Sequence, residues 1–376
     1  MTDWSRRYSP QDEIREYYDR VARYYNLHKS TAFGHTVLSA IWDDTTLLWN
    51  ISVRNEAIGD VHYYTAPVVI SAIGQLNRPK RARIPGADSF TGAQFHTAEW
   101  EHSDLTGKRV AIIGTGPSAG QIIPSIAPQV KSLHVYQRSP PHVLPRQDYE
   151  FSAMIKAIFR WVPFVLWFHH LYLYIAQEFM PYRSIHVPSK GNELATMAAK
   201  GHMESQIPPE RQELRDRFRP NYAFGCKRPL FLDNYYPTFL RDNVTLTTVP
   251  PLQITKDSII TAEGEAKVDV IVWATGFLTQ DMLGHIDIRG HQGISLRGQW
   301  GFVPIFPPSS YHANLLVNTP PPTSAPAPTT SPTSSSSTDP QPGCSGAVSC
   351  SCSKPSRSGT SRFANGSFLR LAEDDE

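Results

Sequence analysis

The first apolar periodicity in the chain is helical. Ile14, Tyr17, Tyr18, Val21, Ala22 and Tyr25 recur at three- and four-residue spacing, one face of a helix. Ser9-Pro10-Gln11-Asp12 reads as its start: a serine cap, proline at the first helical position, an acid in the first turn. We read the aromatic stripe as core packing. The pattern then turns strand-like over residues 36–42 and 47–53, around an Asp43-Asp44-Thr45 turn. Residues 67–73 (PVVISAI) form a continuous apolar run, expected as a buried strand ending at Gly74, with Ile84-Pro85-Gly86 as a loop beyond it. Two more apolar runs, 109–113 and 133–136, flank an apolar helix expected over about 117–130. Polar helices are expected at 193–203 and 208–218, and a buried strand opens the run 268–277.

The stretch between the two short runs carries chemistry. Gly114-Thr115-Gly116-Pro117-Ser118-Ala119 has the G-x-G-x-x-G/A spacing of a dinucleotide loop. Gly114 allows a sharp turn after the strand, Gly116 leaves room for a pyrophosphate, and Ala119 brings the helix close to the sheet. The helix start aims free amides and roughly half a positive charge at the phosphates. A glycine triplet alone is weak evidence, but here strand, loop, helix and second strand follow in order. The second strand ends at Arg138, where an NAD site usually carries an acid for the ribose 2′-hydroxyl. A guanidinium suits a 2′-phosphate, so the expected ligand is NADP(H).

Composition narrows the classes. With 36 basic and 34 acidic residues among 376, the net charge is +2, which gives no basic excess for nucleic acid. Cysteines 226, 344, 350 and 352 make no disulfide framework, and no metal site is expected. The polar N-terminus shows no secretory signal, so an intracellular setting is expected. Residues 161–177 contain no Asp, Glu, Lys or Arg over 17 positions, the lower edge of a membrane span. Pro163 and the His169-His170 pair interrupt that stretch, so a buried or interfacial helix is favoured over a span. Adjacent histidines face different sides of a helix, against paired metal ligation. From about Asn318 the chain is Pro/Ser/Thr/Ala-rich and is expected to be disordered to Glu376.

Just before the glycine loop, Phe90, Gly92, His96 and Trp100 stand as F-x-G-x-x-x-H-x-x-x-W. Alone, His96 would be an ordinary linker histidine. Together the four resemble the fingerprint of Baeyer–Villiger monooxygenases, class B flavoprotein monooxygenases, with Glu101 a mild departure where proline or aspartate is usual. Gly225-Cys226-Lys227-Arg228-Pro229, followed by Asn234-Tyr235-Tyr236, is similar to the family's C-K-R segment. Ala274-Thr275-Gly276-Phe277 is similar to its A-T-G-F return. The similarity spans roughly residues 3–300.

The resemblance implies an α/β fold of two interleaved Rossmann-like dinucleotide-binding domains. Residues 1–90 and 268–318 would belong to the FAD domain, 91–107 to the fingerprint linker, and 108–267 to the NADP domain with a helical insert at about 150–218. It also implies a separate G-x-G-x-x-G unit for FAD ahead of Trp4 and a closing G-P-N-x-G stretch. The sequence shows neither, and Asn314–Thr319 reads as a remnant of the latter. An incomplete FAD domain is therefore expected, followed by a disordered tail at 319–376. The implied reaction uses FAD, NADPH and O2 to convert a small-molecule ketone to an ester or lactone. By the same resemblance Lys227 joins Arg138 at the 2′-phosphate, Arg228 is the catalytic cation, Thr275 and Gly276 touch cofactor, and His96 and Trp100 couple coenzyme docking to domain rotation. Two alternatives stay open: an N- or S-oxygenating flavin monooxygenase, and an inactive remnant that binds NADP only.

Overall fold

The computed structural model describes residues 4–101, 104–281 and 283–300. All of these fall in the first of two units, Met1–Phe302; the second, Val303–Glu376, with the expected disordered tail, three of the cysteines and the 314–319 remnant, lies outside the described residues.

A five-stranded parallel sheet organises the molecule. In chain order its strands are β1 (Ala93–His96), β2 (Arg109–Ile113), β3 (Ser132–Tyr136), β4 (Val244–Thr247) and β5 (Val270–Trp273). In space they run β1-β5-β2-β3-β4, every pair parallel. Both faces of the two central strands β2 and β5 are covered, which is why RVAII and VIVW read as nearly unbroken apolar runs, whereas the edge strand β4, VTLT, alternates. Val110, Ile112, Leu133 and Val135 pack with Ile123 and Ile126 of the helix Pro117–Ile126. On the other face Ala111, Ile113, Ile271 and Trp273 pack with Ile254 and Ile259 of a small antiparallel sheet. The expected strand–loop–helix–strand unit is therefore present, with Arg109 opposite Ser132 in register.

β5 is inserted between β1 and β2, although it follows them by more than a hundred residues. Asp269 fixes its entry. Its carboxylate accepts from the Arg109 amide at 2.8 Å and pairs with the Arg109 guanidinium at 2.5 Å. The Asp269 amide in turn donates to the Arg109 carbonyl.

The N-terminal hairpin forms as its alternation predicts. His35–Asp43 pairs antiparallel with Leu48–Asn55, and the Asp43 carboxylate caps the turn by accepting from the Thr45 amide at 2.8 Å. Val61–Ala66 extends the sheet on one side and Asp287–Arg289 on the other. Only Ala40 and Val53 of this sheet are buried.

Four expectations fail, three for one reason. Residues 67–73 are not a strand; they run as irregular chain with Val68, Val69, Ile70 and Ile73 exposed. The helix Gln11–Tyr24 buries none of its residues, so the aromatic stripe is not core. Of the two readings offered for the charge-free stretch 161–177, its exposure excludes the buried helix and leaves the interfacial one. The stretch breaks at Pro163 into Ala153–Trp161 and Pro163–Ile185, and Trp161, Phe164, Trp167, Phe168 and Tyr172 are exposed. No helix among the described residues is long and apolar enough to cross a membrane. In each case the apolar face exists but its neighbours leave much of it exposed. The fourth failure is local. Pro10, not Ser9, occupies the cap position, because the Ser9 hydroxyl donates back to the Arg6 carbonyl.

Candidate functional site

Three segments meet at the carboxyl ends of β2 and β3, where ligands bind in open parallel sheets. The first is the glycine loop. Gly114 has φ +111°, and a Cβ there would lie 2.4 Å from the Ala274 carbonyl oxygen. Glycine is thus required both for the turn and for the passage of the chain leaving β5. Gly116 is open: beyond its own chain neighbours, no atom of the described residues lies within 4 Å of where its Cβ would be. It caps the helix Pro117–Ile126 with no side chain on the amides behind it, leaving the Ser118 and Ala119 N–H groups to an outside acceptor. Ala119 is fully buried beneath the loop. The tightest helix contact is one residue on, where a Cβ on Gly120 would sit 2.7 Å from Leu232 Cδ1.

The second segment is the end of β3, and Ser139 ties all three together. Its carbonyl accepts from the Thr115 hydroxyl in the glycine loop at 3.3 Å. Its hydroxyl accepts from Lys227 Nζ at 2.5 Å. Nothing in the sequence singled out Ser139, since its role is to join positions 115 and 227. Arg138, beside it, is exposed and forms no ion pair among the described residues.

The third segment is 225–229. Gly225 has φ +89°, with Ile185 side-chain and backbone atoms 3.1–3.4 Å from its Cβ position, so the chain turns there against the helical insert. Asn192, buried in that insert, holds the turn by donating to the Ser184 and Phe224 carbonyls at 2.6 and 2.8 Å. Lys227 then lies over the Tyr222 ring, 4.6 Å from its centroid, and the Tyr222 hydroxyl donates to the Pro140 carbonyl at 2.7 Å. Lys227 has no carboxylate partner and Arg228, exposed, has no ion pair among the described residues. Arg138 and Lys227 thus add two positive charges without a carboxylate partner beside an open helix start, with Arg228 next in the chain.

The fingerprint residues build the neighbouring corner. Phe90 is buried with Trp273 and Ile254, and a Cβ on Gly92 would lie 2.3 Å from the Asp269 carbonyl. Trp100 packs edge-on against Phe95, with ring centroids 4.8 Å apart. His96 ends β1 opposite Trp273 and is fully buried. Its Nδ1 accepts from the Ala98 amide at 3.1 Å, so Nε2 carries the proton. Nε2 faces the Gly276 peptide without forming a hydrogen bond. Burial pushes the imidazole pKa down, which keeps the ring neutral. Thr275 and Gly276 run antiparallel to 78–80: the Thr275 hydroxyl donates to the Lys80 carbonyl, and the Lys80 amide to the Gly276 carbonyl at 2.9 Å. No group of three or more metal-ligating side chains occurs among the described residues.

Residues 2–161 match the family model of pyridine nucleotide-disulphide oxidoreductases. The chain is 38% identical over 297 residues to the FAD-binding monooxygenase BOA2 of Botryotinia fuckeliana, covering 77% of this chain and 56% of that protein. It is 35% identical over 302 residues to a Baeyer–Villiger monooxygenase of Pseudomonas aeruginosa, covering 79% and 55%. The chain is homologous to the Baeyer–Villiger monooxygenases. Solved structures agree: the open form of cyclohexanone monooxygenase superposes with a TM-score of 0.68 at 28% identity, over 79% of this chain and 64% of that one. The OTEMO complex with FAD and NADP gives 0.69 at 27%, over 79% and 62%. The chain spans somewhat more than half the length of the curated relatives it matches.

Proposed function

We propose that the chain is the coenzyme-gripping part of an FAD- and NADPH-dependent monooxygenase that inserts one oxygen atom beside a ketone carbonyl, in an intracellular setting. The observation that carries the reading is the pair of cations without carboxylate partners, Arg138 and Lys227, beside an open glycine loop. In this reading the Ser118 and Ala119 amides and the open side of Gly116 take the pyrophosphate. Arg138 and Lys227 take the 2′-phosphate, with Ser139 orienting the lysine. When bound, NADPH supplies hydride and the flavin supplies the means of activating O2. Arg228 is assigned to the reacting end as the residue that steadies developing negative charge, a task that suits a guanidinium. Thr275 and Gly276 are assigned to cofactor contact where the chain leaves β5. His96 and Trp100 are assigned to coupling coenzyme docking to motion, since one is buried beside the return segment and the other is packed on Phe95. Residues 1–90 and 268–318 are assigned to the FAD side, and 108–267 with its insert to the NADP side. A single strand–glycine loop–helix unit occurs among the described residues, and the coenzyme takes it. FAD therefore enters this reading through the relatives.

The test is calorimetry of the whole chain with NADP+ and NAD+. At ~1.5–3 kcal/mol per charge-assisted hydrogen bond, the phosphorylated coenzyme should bind at least roughly tenfold more tightly. Lys227→Ala should remove most of that preference. Equal binding of the two coenzymes would remove the basis of the reading. A flavin absorbance band in the purified protein, and product masses from a cyclic ketone against a sulfide, then separate ester formation from S-oxygenation and from coenzyme binding alone.

A further inference from the structure

A cavity of about 420 Å³ lies between the N-terminal segment, the helix Gln11–Tyr24 and the helical pair Ala153–Trp161 and Pro163–Ile185. It shares no residue with the glycine loop or with 225–229. Its mouth is braced on both sides. The Arg7 amide donates to the Tyr149 carbonyl at 3.0 Å and the Phe151 amide to the Ser5 carbonyl at 2.9 Å. The Glu13 carboxylate accepts from both the Ser5 amide and the Ser5 hydroxyl at 2.7 Å. The walls are rings: Trp4 against Tyr17, and Phe159 against His169 at 5.2 Å between centroids.

Two arginines reach this cavity, and they differ. Arg6 is neutralised by Asp148 at 3.0 Å. Arg7 meets no carboxylate among the described residues; its guanidinium lies 5.5 and 6.0 Å from the Tyr8 and Tyr149 ring centroids. Ring faces favour the cation but leave its in-plane N–H donors free. A cavity of this size, mostly aromatic and with one unpaired guanidinium, has the make-up of a small-molecule site. An inorganic anion would leave the ring walls wet, and a neutral hydrocarbon would leave Arg7 without a partner.

We propose that this cavity binds a small amphipathic carboxylate, an aromatic or alicyclic acid, with its carboxylate on Arg7 and its ring among Trp4, Tyr17 and Phe159. The experiment is calorimetric titration of the whole chain with 1-naphthoate and, in parallel, with the neutral 1-naphthalenemethanol and with inorganic phosphate. The acid should saturate and bind at least tenfold more tightly than either comparison probe. Arg7→Gln should abolish that preference with an unchanged thermal midpoint, Arg7→Lys should keep part of it, and Lys227→Ala should leave it intact. Equal binding of acid and alcohol, phosphate binding as tightly as the acid, absence of saturable heat, or a preference that survives Arg7→Gln would each overturn the assignment. Loss of the preference in Lys227→Ala would place the acid at the glycine loop instead and overturn it as well.

Discussion

Asp269 shows how much one carboxylate can organise. It receives the Arg109 side chain and amide, and its own carbonyl lies where a Cβ on Gly92 would fall. The Arg109 hydrogen bond, together with the guanidinium charge, holds its pKa down at about 2, against an ordinary carboxylate value near 3.8. A depressed folded-state pKa contributes stability above the unfolded value, and that contribution is lost as pH falls from about 4 toward 2. Asp269→Asn should therefore lower the urea midpoint at pH 6 and narrow the gap between midpoints at pH 5 and pH 2.5. An unchanged gap would mean the pair is too solvated to matter. At this scale the sequence was legible wherever a residue acts through its own backbone. Gly114, Gly116 and Ala119 stand as their spacing implied. It was silent on Ser139, Gly120 and Asn192, whose roles depend on chain that arrives from elsewhere.

At the scale of elements, the helical insert serves the glycine loop at a distance. Its helix Lys190–Gln206 begins at Ser189, whose hydroxyl accepts from the Asn192 amide at 3.1 Å, and that geometry aims the Asn192 side chain at the Phe224 carbonyl. Losing a buried donor that serves two carbonyls costs on the order of 1–3 kcal/mol. Asn192→Ala should lower stability by that amount and release the Gly225 turn. Its discrimination between NADP+ and NAD+ should then fall even though Lys227 is unchanged. Retained discrimination in a destabilised variant would show that the turn is held by Ile185 packing alone. The two polar helices of the insert, expected at 193–203 and 208–218, lie within a few residues of Lys190–Gln206 and of the short helical stretch over 209–217. Periodicity could not distinguish an apolar helix covered by neighbours from an uncovered one, because composition records only the face and not what meets it.

At the scale of the molecule, the five-stranded sheet is closed on both faces while the N-terminal sheet, residues 67–73 and the helix Pro163–Ile185 leave apolar surface open. Exposed apolar side chains in such number favour association. Sedimentation of the whole chain should show reversible self-association that rises with salt, and Trp161→Ser together with Phe164→Ser should reduce it without shifting the thermal midpoint. A monomer at all concentrations would contradict this. The same division separates what the sequence revealed from what it hid. Three of the five parallel strands, at 109–113, 132–136 and 270–273, read correctly because their runs are buried within the chain, while 93–96 reads as linker and 244–247 is not among the expected strands. PVVISAI reads wrongly because a strand is defined by its neighbours.

The insertion of β5 also governs the order of events on the ribosome. The strands bearing the fingerprint and the glycine loop are made first, yet neither can pair with the other, because the place between them is reserved for residues made more than a hundred positions later. Until that last piece threads home, two raw strand edges wait side by side, exposed to any stray segment that fits. The glycine loop is in this sense finished late, when Asp269 closes on Arg109 and the Ala274 carbonyl comes to lie against Gly114.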